Sequence, residues 1–178
     1  FDIIGLSYYP VWHGSLQQVG ANMNDLATRY GKPVLVVETA YPWTTENGDS
    51  QRNIYTDTGP ETFPMTPQGQ VDFLRALNRT VQSVPNGRGL GVIYWEPDFI
   101  PVKDAGWKAG AGDEWDNVTL FDFQGNVLPG FRAASLASFH LVILPRYISA
   151  STGPVTRSSP GLKPSRFTTG TVPPMMAG

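Results

Sequence analysis

The chain has 178 residues and no cysteine; 40% of the residues are hydrophobic, 16% are charged, and the formal net charge is −2. This length and composition suit a folded domain with a core and exclude a wholly disordered chain. The lack of thiols excludes disulfide and thiolate chemistry, and the small net charge leaves no strong field for nucleic acid or an anionic membrane.

No run approaches the roughly 18 apolar residues needed to span a bilayer. Phe1–Tyr9 already reads as a buried strand, so the chain is expected to begin inside a domain, and no signal peptide is visible. Three short apolar runs bounded by Gly or Pro stand out: Ile3–Tyr9, Val34–Ala40 and Leu90–Trp95. Runs of this kind suggest strands buried on both faces, as in parallel sheets. Between the first two, Leu16, Val19, Met23, Leu26, Ala27 and Tyr30 follow helical spacing. Ser15 and Gln18 supply a capping box, and Gly31 supplies a left-handed stop. A second helix is expected from about Pro67 to Val84, capped by Thr66, with Val71, Leu74, Leu77 and Val81 inward. The order strand–helix–strand–helix–strand makes two βα units and a closing strand of a parallel α/β fold. Long loops follow the second and third strands, Tyr41–Met65 and Pro97–Phe121, at the strand ends where parallel α/β enzymes build their sites. Arg132–Leu144 is expected to form a last helix. Residues 145–178 read as a disordered low-complexity tail, about two-thirds Ser, Thr, Pro or Gly over its last thirty positions.

Same-face residues on a strand lie two apart. Strict alternation puts Val34, Val36 and Glu38 on one face and Leu35 and Val37 on the other. It likewise groups Gly5, Ser7 and Tyr9, and Gly91, Ile93 and Trp95. Tyr9, Glu38 and Trp95 then meet at the C-terminal rim of neighbouring strands, while Glu96 points off that face and reads as structural. A carboxylate closing four apolar residues is costly to bury without a partner. It either caps a loop or pairs with an Arg, or it does chemistry. Glycoside hydrolysis uses such a carboxylate with an aromatic platform beneath the sugar. The 12% aromatic content, with five Trp, suits that cleft as well as it suits a large core.

FDIIGLSYYPVWHG, KPVLVVETAYPW, TPQGQVDFL, GVIYWEP and WDNVTLFDFQGNVLP resemble, in order and spacing, the second half of glycoside hydrolase family 53, the arabinogalactan endo-β-1,4-galactanases. The resemblance covers residues 1 to about 132. It implies that residues 1–144 are strands six to eight, with their helices, of a (β/α)8 barrel, and that the substrate is β-1,4-galactan cleaved with retention. It also implies a secreted, monomeric enzyme that needs no cofactor for its chemistry. By resemblance Glu38 is the nucleophile, and Tyr9 orients it, with Tyr8 as the alternative. Trp95 underlies the sugar at the cleavage point, and Tyr8, Trp12, His13 and Trp43 are further substrate-binding candidates; for His13 a hydrogen bond within its loop is the competing expectation. The family's acid/base Glu follows an Asn on the fourth strand, and no Asn-Glu pair occurs in this chain. The chain alone is therefore expected to be inactive: a fragment supplying the nucleophile half, a catalytically silent carbohydrate-binding remnant, or a truncated gene product.

The segment from Asn47 to Asn53 resembles the family's D-x-D-x-H-x-N calcium loop. Asp49 and Asn53 are kept, and Asn47 and Gln51 replace Asp and His. Asp113 and Asp116 lie where the resemblance puts the second ligand group. An ordinary Asn/Gly/Asp turn is the competing expectation. Two N-glycosylation triplets begin at Asn78 and Asn117; the second, in a loop, is the better candidate.

Overall fold

The computed structural model describes residues 1–133 and 142–143. Four parallel strands, β1 (Ile4–Ser7), β2 (Val34–Thr39), β3 (Gly89–Tyr94) and β4 (Val142–Ile143), form one sheet in that spatial order. The helices are α1 (Pro10–His13), α2 (Leu16–Tyr30), α3 (Pro67–Gln82) and α4 (Pro129–Ala133). None of them is long and apolar enough to cross a membrane.

Helix α2 starts where Ser15 Oγ accepts from Gln18 N and Gln18 Oε1 accepts from Ser15 N at 2.8 Å, and it stops at Gly31, φ +62°. Helix α3 starts where Thr66 Oγ1 accepts from Gly69 N at 3.1 Å, with Pro67 in the first turn. Both helices turn apolar stripes to the sheet. Val19, Met23 and Ala27 of α2, and Phe73, Leu74, Leu77 and Val81 of α3, form one core with Leu6, Val34, Val36, Val92 and Tyr94.

Among the described residues no helix covers the other side of the sheet, and the expected grouping of Val34 and Val36 with Glu38 on one face of β2 is broken. Val34 and Val36 are fully buried on the helix side, whereas Val37 is 38% exposed and abuts Gly5 on the open side. Strict alternation from Val36 would then send Glu38 into the helices. A bulge prevents this: Leu6 pairs with Val36, but Ser7 pairs with Glu38. The extra residue shifts the phase by one and returns Glu38 to the open side.

The last helix also differs from expectation. Helix α4 takes in Arg132 and Ala133, but Val142–Ile143 pairs with Ile93 and Tyr94 as a strand, and residues 134–141 lie outside the described residues. The free edge of β3 presents unpaired backbone groups, which β-branched Val142 and Ile143 can satisfy. Residues 145–178, the expected disordered tail, lie outside the described residues.

A buried polar cluster ties the loops to the sheet at the C-terminal strand ends. Gln70 of α3 donates through Nε2 to Tyr41 O (2.9 Å) and Thr119 O (3.0 Å), while Tyr94 Oη reaches Val118 O. One helical side chain thus fixes the loop after β2 against the loop after β3, two segments that regular backbone pairing could not hold.

Candidate active site

The C-terminal ends of β1, β2 and β3 bring Ser7, Tyr9, Glu38 and Trp95 together. Tyr9 Oη donates to Glu38 Oε1 at 2.7 Å, and Ser7 Oγ lies 3.4 Å from Glu38 Oε2. Burial, reinforced by the bond to Glu38, pushes the Tyr9 phenol far above the ordinary tyrosine range. Tyr9 is therefore a permanent donor to the carboxylate and never a competing anion. It is held in turn by α1, where His13 Nδ1 accepts from Tyr9 N at 2.9 Å.

Above this pair lies an open cleft of about 270 Å³, lined by Tyr9, Trp12, Glu38, Ile54, Trp95, Trp107 and Trp115. Trp12 stacks near-parallel with Trp115, centroids 6.2 Å apart at 16°, and Trp107 lies 5.9 Å from Trp115 at 39°. Trp12, Trp95 and Trp107 each keep about half of their surface exposed, at 50%, 40% and 47%. Large indole faces left open to water around one carboxylate suit a ligand with alternating hydroxyls and C–H faces, which is the surface of a pyranose.

Several expected site residues lie elsewhere. Tyr8 is fully buried on the helix side, where it stacks on Phe73 and donates to Gly14 O at 3.0 Å. It is a core residue and cannot touch substrate, because alternation sends it opposite Tyr9. Trp43 packs on Phe123 at 4.9 Å and does not line the cleft. His13 spends Nδ1 on the Tyr9 backbone, a positioning contact. Glu96 departs in the other direction: its φ is +47°, and its Oε2 accepts from the cleft residue Trp107 at 3.0 Å. Asn117 is buried and donates to Tyr55 O at 2.8 Å, so its glycosylation triplet is not accessible in the fold, and Asn78 is nearly as buried.

The family model for glycosyl hydrolase family 53 matches residues 1–134. The chain belongs to that family. It is 42% identical over 137 residues to an arabinogalactan endo-β-1,4-galactanase of Cellvibrio japonicus, covering 74% of this chain and 35% of the relative. An uncharacterized protein of Niallia circulans is 48% identical over 135 residues, 75% of this chain and 37% of the relative. Among solved structures, the Ignisphaera aggregans GH53 catalytic domain superposes with a TM-score of 0.72 at 38% identity, covering 76% of this chain and 39% of that one. The chain thus spans little more than a third of the relatives it matches.

For a family 53 chain, the residues that sequence reasoning missed are Ile54, Trp107 and Trp115. All three come from long loops without periodicity. Only the aromatic count and the WDN block hinted at Trp115.

The second carboxylate group lies between the same loops. Asp49 accepts from Gln51 N on Oδ1 (2.6 Å) and from Asp113 N on Oδ2 (2.7 Å), and Asp116 Oδ2 accepts from Gly48 N (2.9 Å). Asp113 Oδ2, Asp116 Oδ1 and Asn53 Oδ1 are buried with no partner. Buried oxygens of this kind, left without partners, are the type of atom that calcium takes as ligands. Among the described residues no three carboxylate, imidazole or thiol groups converge as a metal cluster, so a cation here would need the Asn53 amide oxygen as well. Asn47 closes its own turn, donating to Gln51 O and accepting from Asp49 N; Gln51 enters through its backbone. Burial raises Asp113 to about 7 and Asp116 to about 6, each raised further by the neighbouring aspartates.

Proposed function

We propose that this chain supplies the nucleophile half of a retaining endo-β-1,4-galactanase, in which β1, β2 and β3 are the sixth, seventh and eighth strands of a (β/α)8 barrel. The observation that carries this is the Tyr9–Glu38 bond of 2.7 Å at adjacent parallel strand ends, inside a tryptophan-lined cleft. The galactanase names of family relatives supply the substrate, β-1,4-galactan. In this reading a Glu38 oxygen attacks the anomeric carbon, and the glycosidic oxygen leaves with a proton from a general acid. Water, deprotonated by the same group, then displaces Glu38 from the sugar with overall retention. Tyr9 holds one carboxylate oxygen so that the other faces the sugar, and Trp95 supplies a stacking face. Among the described residues Glu38 is the carboxylate that lines this cleft, Glu96 reaching it through Trp107, and no Asn-Glu pair occurs in the chain; in this reading the acid/base belongs to the other part of the barrel. The chain alone would hold sugar without cleaving it. The complete enzyme would be secreted and monomeric.

Calcium, where bound, would be held by Asp113, Asp116 and Asn53 with Asp49 in support, and would serve as a structural clamp between the loops after β2 and β3.

The test uses a reconstituted barrel, with the N-terminal portion of the Cellvibrio japonicus galactanase joined ahead of Phe1. Glu38→Gln should lower kcat on β-1,4-galactan by about 10⁴-fold while leaving binding nearly unchanged. NMR of the first-formed anomer should show retention. Residual activity near the parent level, or an inverted product, overturns the assignment.

A further inference from the structure

Residue 96 is where the alternation of β3 breaks. Val92 and Tyr94 are buried on the helix side, so side chain 96 should follow them. Glu96 instead has φ +47°, a left-handed backbone that non-glycine residues seldom adopt, and it directly precedes Pro97, which narrows its freedom further. Strain of this kind persists only where surrounding structure holds it, and it concentrates at functional sites. The twist brings the carboxylate to the cleft side, where Oε2 accepts from Trp107 Nε1 at 3.0 Å. Its charge is also felt by Tyr9.

Trp107 stands on an excursion whose base is pinched shut. A Cβ on Gly106 would lie 1.8 Å from Gly112 O, and both glycines have positive φ, +98° and +97°. Asp49 clamps the next residue by accepting from Asp113 N. The backbone is thus fixed on both sides of the indole, but the ring itself is 47% exposed. An exposed indole with no polar anchor samples several orientations, and each must be given up when a ligand stacks on it.

We propose that Glu96 is a positioning residue for carbohydrate binding: its carboxylate fixes the indole plane of Trp107 as a preformed wall of the cleft and so sets how tightly longer β-linked galactose chains are held. The proposal rests on the galactanase reading above. Glu96 acts through Trp107 and takes no part in bond making, so its removal weakens binding rather than turnover.

The experiment compares Glu96→Ala, Glu96→Gln, Glu96→Gly, Trp107→Ala and the double Ala variant in the reconstituted barrel, with galactotetraose and polymeric β-1,4-galactan as substrates. Glu96→Ala and Trp107→Ala should each raise KM about 10-fold with kcat within about 2-fold of the parent, and the double variant should be no worse than Trp107→Ala. Glu96→Gln keeps an acceptor for the indole N–H and should restore a KM near the parent's. Glu96→Gly suits the left-handed backbone, so its thermal midpoint should hold or rise while its KM matches that of Glu96→Ala. An unchanged KM in Glu96→Ala overturns the proposal. So does a joint fall of kcat and thermal midpoint that Glu96→Gln fails to rescue, which would mark a merely structural residue. If Glu38→Gln retains activity, the galactanase reading fails instead; if Glu38→Gln is dead and Glu96→Ala is silent, only the positioning role fails.

Discussion

Tyr9 and Glu38 lie 29 residues apart and meet because two parallel strands end side by side. Their bond is a neutral donor to a carboxylate, a charge-assisted contact stronger than an ordinary hydrogen bond. With the phenol pushed well above its usual range by burial, Tyr9 stays protonated at any working pH. Tyr9→Phe removes the donor and keeps the ring that packs on Trp12 at 5.1 Å and Trp115 at 5.7 Å. We expect kcat in the reconstituted barrel to fall about 10- to 100-fold, the kinetic equivalent of about 1.5–3 kcal/mol for a hydrogen bond to a charged group, with KM little changed. Steady-state kinetics on β-1,4-galactan decide it. An equal loss in KM and none in kcat would mean that Tyr9 only shapes the cleft.

At the scale of elements, the site depends on two loops that carry little regular structure. Gln70 and Tyr94 pin their bases to α3 and β3, and Asp49, Asp113 and Asp116 join their outer parts. The aspartates also make that junction sensitive to pH. The folded-state values of Asp113 and Asp116, about 7 and about 6, lie above the ordinary 3.8. The folded chain therefore keeps protons that the unfolded chain releases, and without a cation stability should fall as pH rises from about 4 to about 7, then level off. A bound cation favours the ionised carboxylates and reverses the trend. Thermal midpoints of the reconstituted barrel across this pH range, with chelator and with millimolar calcium, check both signs. A midpoint indifferent to calcium at pH 7 would leave the segment from Asn47 to Asn53 an ordinary turn.

At the scale of the whole molecule, the described residues cover the sheet on one side only. Gly5, Val37, Ile93 and Trp95 lie on the open side, with Val37 and Trp95 at 38% and 40% exposure. The outer edge of β1 has no partner among the described strands. Apolar side chains on an open sheet face, together with a free strand edge, favour association with another chain. Residues 1–178 expressed alone should therefore self-associate and release no galacto-oligosaccharide, and joining the N-terminal portion of a relative should restore both solubility and activity. Light scattering and a galactan assay test this. A monodisperse, hydrolytic chain would mean that a carboxylate within these residues acts as acid/base.

The order of strands and helices, the caps at Ser15 and Thr66 and the stop at Gly31 were legible in the sequence, because they are set by neighbours within a few residues. So was the family, through blocks whose spacing survives without knowledge of their contacts, and with it the candidacy of Glu38, Tyr9 and Trp95. Which side of β2 faces the helices was decided only in three dimensions. A period-two argument has no means of seeing the bulge between Leu6 and Ser7 pairing, and one inserted residue inverts every side chain beyond it. The burial of Tyr8, the turn of Glu96 toward Trp107 and the arrival of Trp107 and Trp115 in the cleft are likewise tertiary. Each depends on a loop or a positive φ whose conformation is set by partners distant in the chain, and local sequence carries no period there from which to read it.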